Sequence, residues 1–328
     1  MMRVLVTGAG GFLGKALVNA LLREGYTVRA LYHRAGLSQG DSRCEVVTGD
    51  VRDRAAMKAA VTACQAVVHL AGKVHALDEL SADEQEYHSI NVEGTRHLLE
   101  GAAAAGIRRF IFASTVKVFG ETSDGCVDES WPPAPVTAYA RSKWAAEQLV
   151  DDLARSGRFR GVSLRLPMVY GPTDKGNLFR MIAAIDRGRF PPLPPIAGVR
   201  SMLHVNNFTQ AVLRTLQAES PFKPCYVVTD AEPYSVTTIY ELLCAGLGKP
   251  IPAWRVPLWL LKVAGGAGDV VRALTKRPGP LTGAAVQKLI EPAWYCSDAI
   301  ARDLGYRPDF SFADTVPELV AFYRHAKQ

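Results

Sequence analysis

A tyrosine and a lysine stand four residues apart, as Tyr139 and Lys143 in the segment YARSK. If this segment is helical, the two side chains share one face about one turn apart. A phenol with a reference pKa of ~10 is a poor base near neutral pH, and a neighbouring cation favours its ionised form. We therefore expect the pair to move a proton on or off a substrate oxygen.

Ser114 and Thr115 end a strand-like segment, RRFIFAST, that precedes this pair in the chain. Ligands of open α/β sheets bind at the carboxyl ends of the strands, so a hydroxyl here could orient a reacting oxygen toward Tyr139. The pattern predicts three hydrogen-bond donors around one oxygen: a hydroxyl at this strand end, the Tyr139 phenol and the Lys143 ammonium. The alternative is an exposed tyrosine–lysine pair on a helix, because YxxxK occurs often by chance.

The first strand-like segment, RVLVT, runs directly into the glycine-rich turn TGAGGFLG. Gly8 allows a sharp turn, Gly11 lets the backbone approach a pyrophosphate, and Gly14 lets the next helix pack close to the sheet. The N–H groups at the start of that helix would then face the phosphates. We expect a dinucleotide to bind at Gly8, Gly10, Gly11, Phe12, Leu13 and Gly14, although a purely structural turn is the alternative.

The end of the second strand indicates which dinucleotide is preferred. An NAD site usually has an acidic residue there for the ribose 2′-hydroxyl, whereas this sequence reads Leu31-Tyr32-His33-Arg34. Arg34 is placed to meet a 2′-phosphate, which favours NADP(H) and leaves NAD(H) open; a solvated Arg34 is the alternative. Asp50, after the third strand, could accept from the adenine amino group or only cap the next helix.

Strand-like and helix-like segments alternate through the first half of the chain, and this alternation predicts the fold. The predicted strands are RVLVT, TVRALY, CEVVTGD, AVVHLAG, RRFIFAST and GVSLRLPMVYG, with CYVVTD as a late strand that returns to the sheet. We predict an α/β Rossmann fold with a doubly wound parallel sheet and helices on both faces. The Rossmann domain should cover 1–170 with a returning segment near 201–230, and a smaller C-terminal substrate lobe should cover 171–200 and 231–328.

Composition and charge narrow the class of protein. The net charge is +6, but Lys and Arg are scattered along the sequence, which argues against nucleic acid as a partner.

No apolar stretch reaches the ~18–20 residues of a membrane span, so we expect no integral membrane segment and a cytoplasmic location. The apolar segment Val256–Val271 predicts an amphipathic core or lid helix, with membrane-surface contact as the less favoured alternative. The six cysteines match no metal-site spacing, and we expect buried, reduced thiols and no metal.

Together these motifs resemble the extended short-chain dehydrogenase/reductase family, the NAD(P)-dependent epimerases and dehydratases. The matching pieces are TGAGGFLG, GDVRD, HLAG, NVEGT, ASTVKVFG, YARSK and LPMVYGP, in the family's order. The resemblance implies that Thr115, Tyr139 and Lys143 form the catalytic triad. It also implies that further residues line the cofactor: Val51, Leu70, Ala71, Gly72, Asn91, Ser114 and Pro167.

The rest of the chain resembles two groups within this family. GPTDKGNLFRMI, the Arg200 segment RSMLHVNN, AGKVHAL and SKWAAEQ are similar to bacterial 4-epimerases and 4-ketoreductases of UDP-N-acetylhexosamines. This resemblance implies substrate contacts from Lys73, Thr115, Asn177, Leu178 and Arg200. The C-terminal stretch from Lys276 to Pro308 instead resembles dihydroflavonol- and sterol-type reductases. In family members the helices at 89–105 and 139–154 pair, so a homodimer is expected.

Three functions stay open at this point. The first is reduction or epimerisation at C4 of a UDP-hexose or UDP-N-acetylhexosamine, and Arg34 favours an exchanging NADPH and thus a reductase. The second is NADPH-dependent reduction of an apolar ketone, for which the C-terminal aromatic residues would provide a site. The third is a non-catalytic dinucleotide-binding module, in which Tyr139 would have no chemical role.

Overall fold

A seven-stranded parallel sheet forms the centre of the protein, in the order β10-β6-β5-β4-β1-β2-β3. The computed structural model describes residues 2–34, 40–74, 84–120, 125–219, 223–275 and 282–327. The strands of this sheet are β1 Arg3–Thr7, β2 Thr27–Tyr32, β3 Cys44–Thr48, β4 Ala66–His69, β5 Arg109–Thr115, β6 Arg160–Leu166 and β10 Cys225–Val227. The predicted Rossmann-like α/β fold is confirmed, including the late strand that returns to the sheet.

Some of the helices cover both faces of this sheet, and others form a second core beyond it. They are α1 Phe12–Arg23, α2 Arg54–Ala60, α3 Glu84–Tyr87, α4 Gly94–Ala104, α5 Ala138–Arg155, α6 Asn177–Asp186, α7 Val205–Gln217, α8 Val236–Leu247, α9 Leu258–Thr275, α10 Gly283–Ile290, α11 Asp298–Leu304 and α12 Phe312–Ala326. A π-helical turn, His88–Glu93, leads into α4, and a 3₁₀ turn, Val116–Phe119, follows β5. Helices α1 and α7 pack on one face and α2, α4 and α5 on the other. Strands buried between two helical layers read as continuous apolar runs, as RVLVT does. Within the described ranges, no helix is both long and apolar enough to traverse a membrane.

The segment GVSLRLPMVYG was predicted as one strand, and that prediction is wrong. Strand β6 ends at Leu166, and β7, Met168–Tyr170, leaves the main sheet to pair with β9, Met202–His204. Pro167 separates them, because proline has no N–H to donate to a strand ladder. A further small sheet pairs β8, Val199–Arg200, with β11, Tyr234–Ser235.

A second apolar core lies among α6, α8 and α12, beyond the carboxyl end of β6. The proline-rich stretch 189–198 is irregular, and its Leu193 is fully buried in this core. The Thr237 hydroxyl of α8 donates to the Pro194 carbonyl and accepts from the Ile196 N–H. This core therefore holds the segments that follow β6 near the carboxyl edge of the sheet.

Candidate active site at the carboxyl edge of the sheet

The glycine turn between β1 and α1 has no room for side chains. Gly8 has φ of +68°, and a Cβ built on it would lie 2.8 Å from the Ala71 nitrogen. A Cβ on Gly14 would lie 2.2 Å from the Gly8 carbonyl oxygen. The first N–H groups of a helix have no acceptor within the helix. Helix α1 begins after Gly11, and no side chain caps these groups there. The turn is thus a bare cradle of backbone donors, which fits a diphosphate.

A buried chain of hydrogen bonds fixes the neighbouring β4 turn. The Thr7 hydroxyl accepts from the N–H groups of Leu70 and Ala71 and contacts His69 Nδ1 at 2.7 Å. His69 Nε2 lies 3.0 Å from the Thr95 hydroxyl. Burial, with the nearby Lys143 ammonium, lowers the pKa of His69 to about 3, so the ring is neutral. Residues 70–72 are thereby held against the glycine turn.

Asn91, in the π-helical turn, connects the turn after β4 to α5. Its Oδ1 accepts from the Lys73 N–H at 2.7 Å, and its Nδ2 donates to the Lys73 carbonyl and to the Ser142 hydroxyl. Ser142 in turn donates to the Tyr139 carbonyl at 2.8 Å. In the structure its amide positions the backbone of residue 73 and the first turn of α5, and the expectation that Asn91 lies near the cofactor stays a prediction.

Tyr139 and Thr115 meet where β5 and α5 converge. Thr137 caps α5, so Tyr139 falls in the first helical turn. Thr115 is buried at the end of β5, accepts from the Lys117 N–H and hydrogen-bonds the Tyr139 phenol. Burial raises the pKa of Tyr139 to about 12, against the lowering effect of the Thr115 hydrogen bond. In the protein without its cofactor, desolvation of the phenol therefore dominates its pKa, and the expected effect of a neighbouring cation stays a prediction.

Lys143 lies one turn further along α5, as its spacing predicted. It is only 7% exposed, and its Nζ lies 4.0 Å from the centroid of the Phe112 ring. The same Nζ would lie 4.0 Å from a Cβ built on Gly72. Burial lowers the pKa of Lys143 to about 7, although the carboxylate of Glu147 opposes this shift. The ammonium therefore sits beside the β4 turn and can lose its proton near neutral pH.

A buried ion pair supports this helix from beneath. Glu147 accepts from Arg165 of β6, with a closest N–O distance of 2.8 Å, and both side chains are 4% exposed. The Arg165 guanidinium also lies over the rings of Phe119 and Trp144. Glu147 is one turn beyond Lys143 on the same face of α5, so the pair places a carboxylate below the ammonium.

Basic side chains gather where β2 and β3 end. Arg34 is exposed, and His33 Nε2 lies 3.4 Å from the carboxylate of Asp50. Arg52 binds that carboxylate through both Nε and Nη2, and these hydrogen bonds lower the pKa of Asp50 to about 2. Asp53, not Asp50, caps α2, so the capping alternative for Asp50 is wrong.

The other predicted cofactor residues occupy the same edge of the sheet. Ser114 is buried, and its hydroxyl has no hydrogen-bond partner within the described part of the chain. Gly10 faces the Tyr32 ring, and Val51 packs against Gly94. Leu70 and Pro167 are partly buried at the ends of their strands. The bare glycine turn and the unpaired Ser114 hydroxyl fit a dinucleotide with its nicotinamide near Tyr139.

The predicted substrate residues are spread more widely. Lys73 forms an ion pair with Glu86 and lies over the Tyr87 ring. Asn177 is exposed at the start of α6, whereas Leu178 packs on the second core. Arg200, in β8, is partly buried, and burial lowers its pKa while Tyr295 and Glu291 oppose this. Residues 75–77 of AGKVHAL and 276–281 of the C-terminal resemblance lie outside the described residues.

Sequence reasoning missed His69, Ser142, Glu147 and Arg165. A helical projection would have found Glu147, because it is the charged residue that continues the Tyr139–Lys143 face of α5. A helical projection does not reveal the partner of Glu147. Arg165 belongs to β6, and its place beside α5 depends on how β6 is aligned with β5 in the sheet. The role of His69 depends on Thr7 and Thr95, which are distant in the chain.

Two of the cysteines form a disulfide, contrary to the expectation of six reduced thiols. Cys126 and Cys296 are bonded with their Cα atoms 5.6 Å apart, and Cys44, Cys64, Cys225 and Cys244 are free. The spacing could not indicate this pair, because 170 residues separate its members. No cluster of His, Cys, Asp or Glu suited to a metal occurs among the residues whose positions are described.

The chain matches the model of one protein family and is similar to several known proteins. The family model for the NAD dependent epimerase/dehydratase family matches residues 4–228. A UDP-glucose 4-epimerase of Vibrio cholerae is 30% identical over 280 residues, covering 83% of this chain and 85% of that protein. A 4-hydroxy-2-methyl-3-oxo-4-farnesyl-3,4-dihydroquinoline-1-oxide ketoreductase of Stigmatella aurantiaca is 31% identical over 313 residues, covering 93% and 92%. The structure of a UDP-glucuronic acid 4-epimerase from Bacillus cereus in complex with NAD has a TM-score of 0.78, at 22% identity and full coverage of both chains.

Proposed function

The chain belongs to the NAD dependent epimerase/dehydratase family, and from that premise we propose that it reduces or epimerises C4 of a nucleotide sugar, with reduction favoured. The observation that carries this proposal is the Thr115–Tyr139 hydrogen bond at the carboxyl edge of the sheet, with the Lys143 ammonium on the same helix face. A buried phenol with a pKa of about 12 is protonated at neutral pH, and it is therefore ready to give a proton to a carbonyl oxygen.

In the reductive direction, each side chain has one task. Thr115 orients the carbonyl oxygen, Tyr139 delivers the proton to that oxygen, and Lys143 binds the ribose hydroxyls of the cofactor. A bound reduced nicotinamide supplies the hydride that the carbonyl carbon accepts. The bare glycine turn would hold the diphosphate through backbone N–H groups, and Ser114 would offer its hydroxyl beside Thr115.

For the cofactor we propose NADP(H). Arg34, His33 and Arg52 supply basic side chains at the ends of β2 and β3, where a 2′-phosphate would lie. The Bacillus cereus neighbour was solved with NAD, so NAD(H) is the competing assignment.

Arg34→Ala should raise the KM for NADPH at least about tenfold and leave the KM for NADH nearly unchanged. Arg23→Ala, an exposed arginine at the end of α1, is the control. Equal affinity of the parent for both cofactors would remove this assignment.

For the substrate we propose a UDP-hexose or UDP-N-acetylhexosamine. Arg200 would contact the diphosphate, and Asn177 and Leu178 would contact the uridine end. The test is a thermal-shift and turnover panel of UDP-sugars, UDP-4-keto sugars and dTDP-sugars with NADPH and NADH. Substrate-dependent stabilisation that Arg200→Met abolishes would support the proposal. The absence of stabilisation by every sugar nucleotide would contradict it.

The choice between reductase and epimerase is tested by the cofactor that accompanies the purified protein. Mass spectrometry of the denatured enzyme should find little bound dinucleotide if the enzyme exchanges NADPH each turnover. Tightly held NAD(H) in a one-to-one ratio would instead indicate an epimerase, which returns the hydride to its own substrate.

A second candidate is NADPH-dependent reduction of an apolar ketone. The observation in its favour is the relation to the Stigmatella aurantiaca ketoreductase, whose substrate carries a farnesyl chain and which matches most of both chains. Aryl and prenylated ketones added to the same panel distinguish the two candidates. Turnover of these ketones but of no sugar nucleotide would favour the second.

We also propose that α4 and α5 pair in a homodimer, which sedimentation of the purified protein can test.

A further inference from the structure

The carboxylate of Glu147 is buried one helical turn from the Lys143 ammonium. Residues four apart on a helix share one face, and α5 runs without a break through both of them. Glu147 is 4% exposed and Lys143 is 7% exposed, so little water screens the two charges from each other. An opposite charge at this spacing favours the ammonium over the neutral amine. Glu147 lies further from the start of α5 than Lys143, and it can therefore act on the site only through that lysine.

The other elements around Lys143 bring mainly neutral groups to it. Burial lowers the pKa of His69 in β4 and raises the pKa of Tyr139, so both rings are uncharged at neutral pH. Lys73, after β4, and Glu86, in α3, form an ion pair whose charges offset each other. The carboxylate one turn along α5 therefore has the largest electrostatic effect on the ammonium.

Arg165 of β6 competes with Lys143 for this carboxylate. Its Nη2 lies 2.8 Å and its Nε 3.2 Å from Glu147 Oε2. The guanidinium carbon also lies 4.6 Å from the centroid of the Phe119 ring. A bound guanidinium cancels part of the carboxylate charge, so the ion pair raises the pKa of Lys143 less than a lone carboxylate would. Lys117, in the 3₁₀ turn that packs on α5, is a further cation of the surrounding elements.

We propose that Glu147 is a positioning residue that keeps Lys143 charged, and that Arg165 limits how strongly it does so. This inference rests on the proposed function, in which the Lys143 ammonium binds the ribose of the cofactor. Burial drives Lys143 toward the neutral amine, and the carboxylate of Glu147 opposes this effect. The balance between the two partners of the buried ion pair therefore sets the pH range in which the cofactor-binding form of Lys143 exists.

The test is an NMR titration of the purified full chain labelled with ¹³C at the lysine Cε atoms, whose chemical shifts report ionisation. The Lys143 resonance is the one that Lys143→Met removes. Glu147→Gln should lower the midpoint of this titration by at least about 1 pH unit, because an anion beside the ammonium is lost. Arg165→Met should raise the midpoint, because the carboxylate is then unopposed. A merely structural role would admit water in both variants and raise both midpoints.

Two more variants keep the test decisive. Asp151→Asn is the matched control, since it removes a carboxylate that is paired at the surface of the same helix, about 12 Å along the axis from Lys143. Its midpoint should equal that of the parent. The double variant Glu147→Gln/Arg165→Met leaves no buried charge unpaired and should fold better than either single variant. It should also titrate below the parent.

Binding of NADPH connects the titration to function. At pH 8 the Kd of Glu147→Gln should be about tenfold above that of the parent, because the charged fraction of Lys143 falls about tenfold for each pH unit of midpoint. The two Kd values should converge as pH falls. A Glu147→Gln midpoint at or above that of the parent would overturn the inference, as would shifted midpoints with a parental Kd at every pH. Shifted midpoints in a parent that binds no dinucleotide would support control of the Lys143 charge by Glu147 and contradict the proposed function.

Discussion

At the scale of single residues, burial sets the protonation states in the site. The phenol of Tyr139 and the ammonium of Lys143 are both driven toward their neutral forms, because each loses water without gaining a full opposite charge. The phenol is thereby suited to donate a proton, and the lysine becomes sensitive to pH near neutrality. His69 is held neutral by the same cause, between Thr7 and Thr95.

We expect the lowered pKa of Lys143 to make cofactor binding depend on pH. The protein alone holds this pKa near 7, so the fraction of ammonium available to the ribose hydroxyls and phosphates falls as pH rises. The Kd for NADPH, measured by fluorescence titration, should increase as pH rises above about 7, and Lys143→Met should bind weakly without this increase. Lys58→Met, an α2 variant, should keep it. A pH-independent Kd for the parent would contradict the account.

At the scale of elements, the β1–α1 turn is the most constrained part of the site. Gly14→Ala places a Cβ within 2.6 Å of the Ala9 Cα as well as against the Gly8 carbonyl. The turn must open to relieve this contact, so NADPH affinity should fall at least about a hundredfold, as calorimetry can measure. Gly266→Ala, in α9, meets no atom within 4 Å and should bind NADPH normally. Equal affinities for the two variants would show that the turn does not bind the cofactor.

The Glu147–Arg165 pair supports α5 and should behave as a buried pair. Glu147→Gln or Arg165→Met alone leaves one buried charge unpaired, and each should lower the free energy of unfolding by about 3–5 kcal/mol. The double variant should lose clearly less than the sum of the two. Asp151 and Arg155 form an ion pair at the surface of the same helix, and removing it should cost far less than breaking the buried pair. Urea unfolding measures all of these; additive losses for the buried pair would contradict its coupling.

Local patterns predicted the elements that carry the chemistry. The glycine turn, β5 with Thr115, and α5 with Tyr139 and Lys143 depend on spacing within short segments, so they could be read directly. The break at Pro167 was missed because the apolar run continues through it. That β7 leaves the main sheet also depends on its pairing with β9, which is distant in the chain. The roles of His69, Asn91 and Arg165 depend on contacts between strands and helices that are far apart in the chain.

At the scale of the whole molecule, the Cys126–Cys296 disulfide joins the segment after β5 to the segment before α11. Backbone hydrogen bonds from Val127 to Trp294 and from Cys296 to Val127 hold the same junction. The bond closes a loop spanning 170 residues, so reduction should lower the free energy of unfolding by about 2–5 kcal/mol. Denaturation with and without reductant measures this, and Cys126→Ser/Cys296→Ser should be insensitive to reductant. Six alkylatable thiols in the unreduced, denatured protein would contradict the disulfide.

The central claim is that Tyr139 delivers a proton while hydride passes from the nicotinamide to the substrate. The most direct measurement is deuterium transfer from 4-deuterated NADPH to C4 of a UDP-4-keto-N-acetylhexosamine, followed by mass spectrometry of the product. The parent and Tyr87→Phe, whose altered ring lies 6.1 Å from that of Tyr139, should transfer one deuterium per turnover. Tyr139→Phe should bind NADPH with parental affinity but transfer deuterium about 10²–10⁴-fold more slowly. Transfer by Tyr139→Phe at the parental rate would contradict the account.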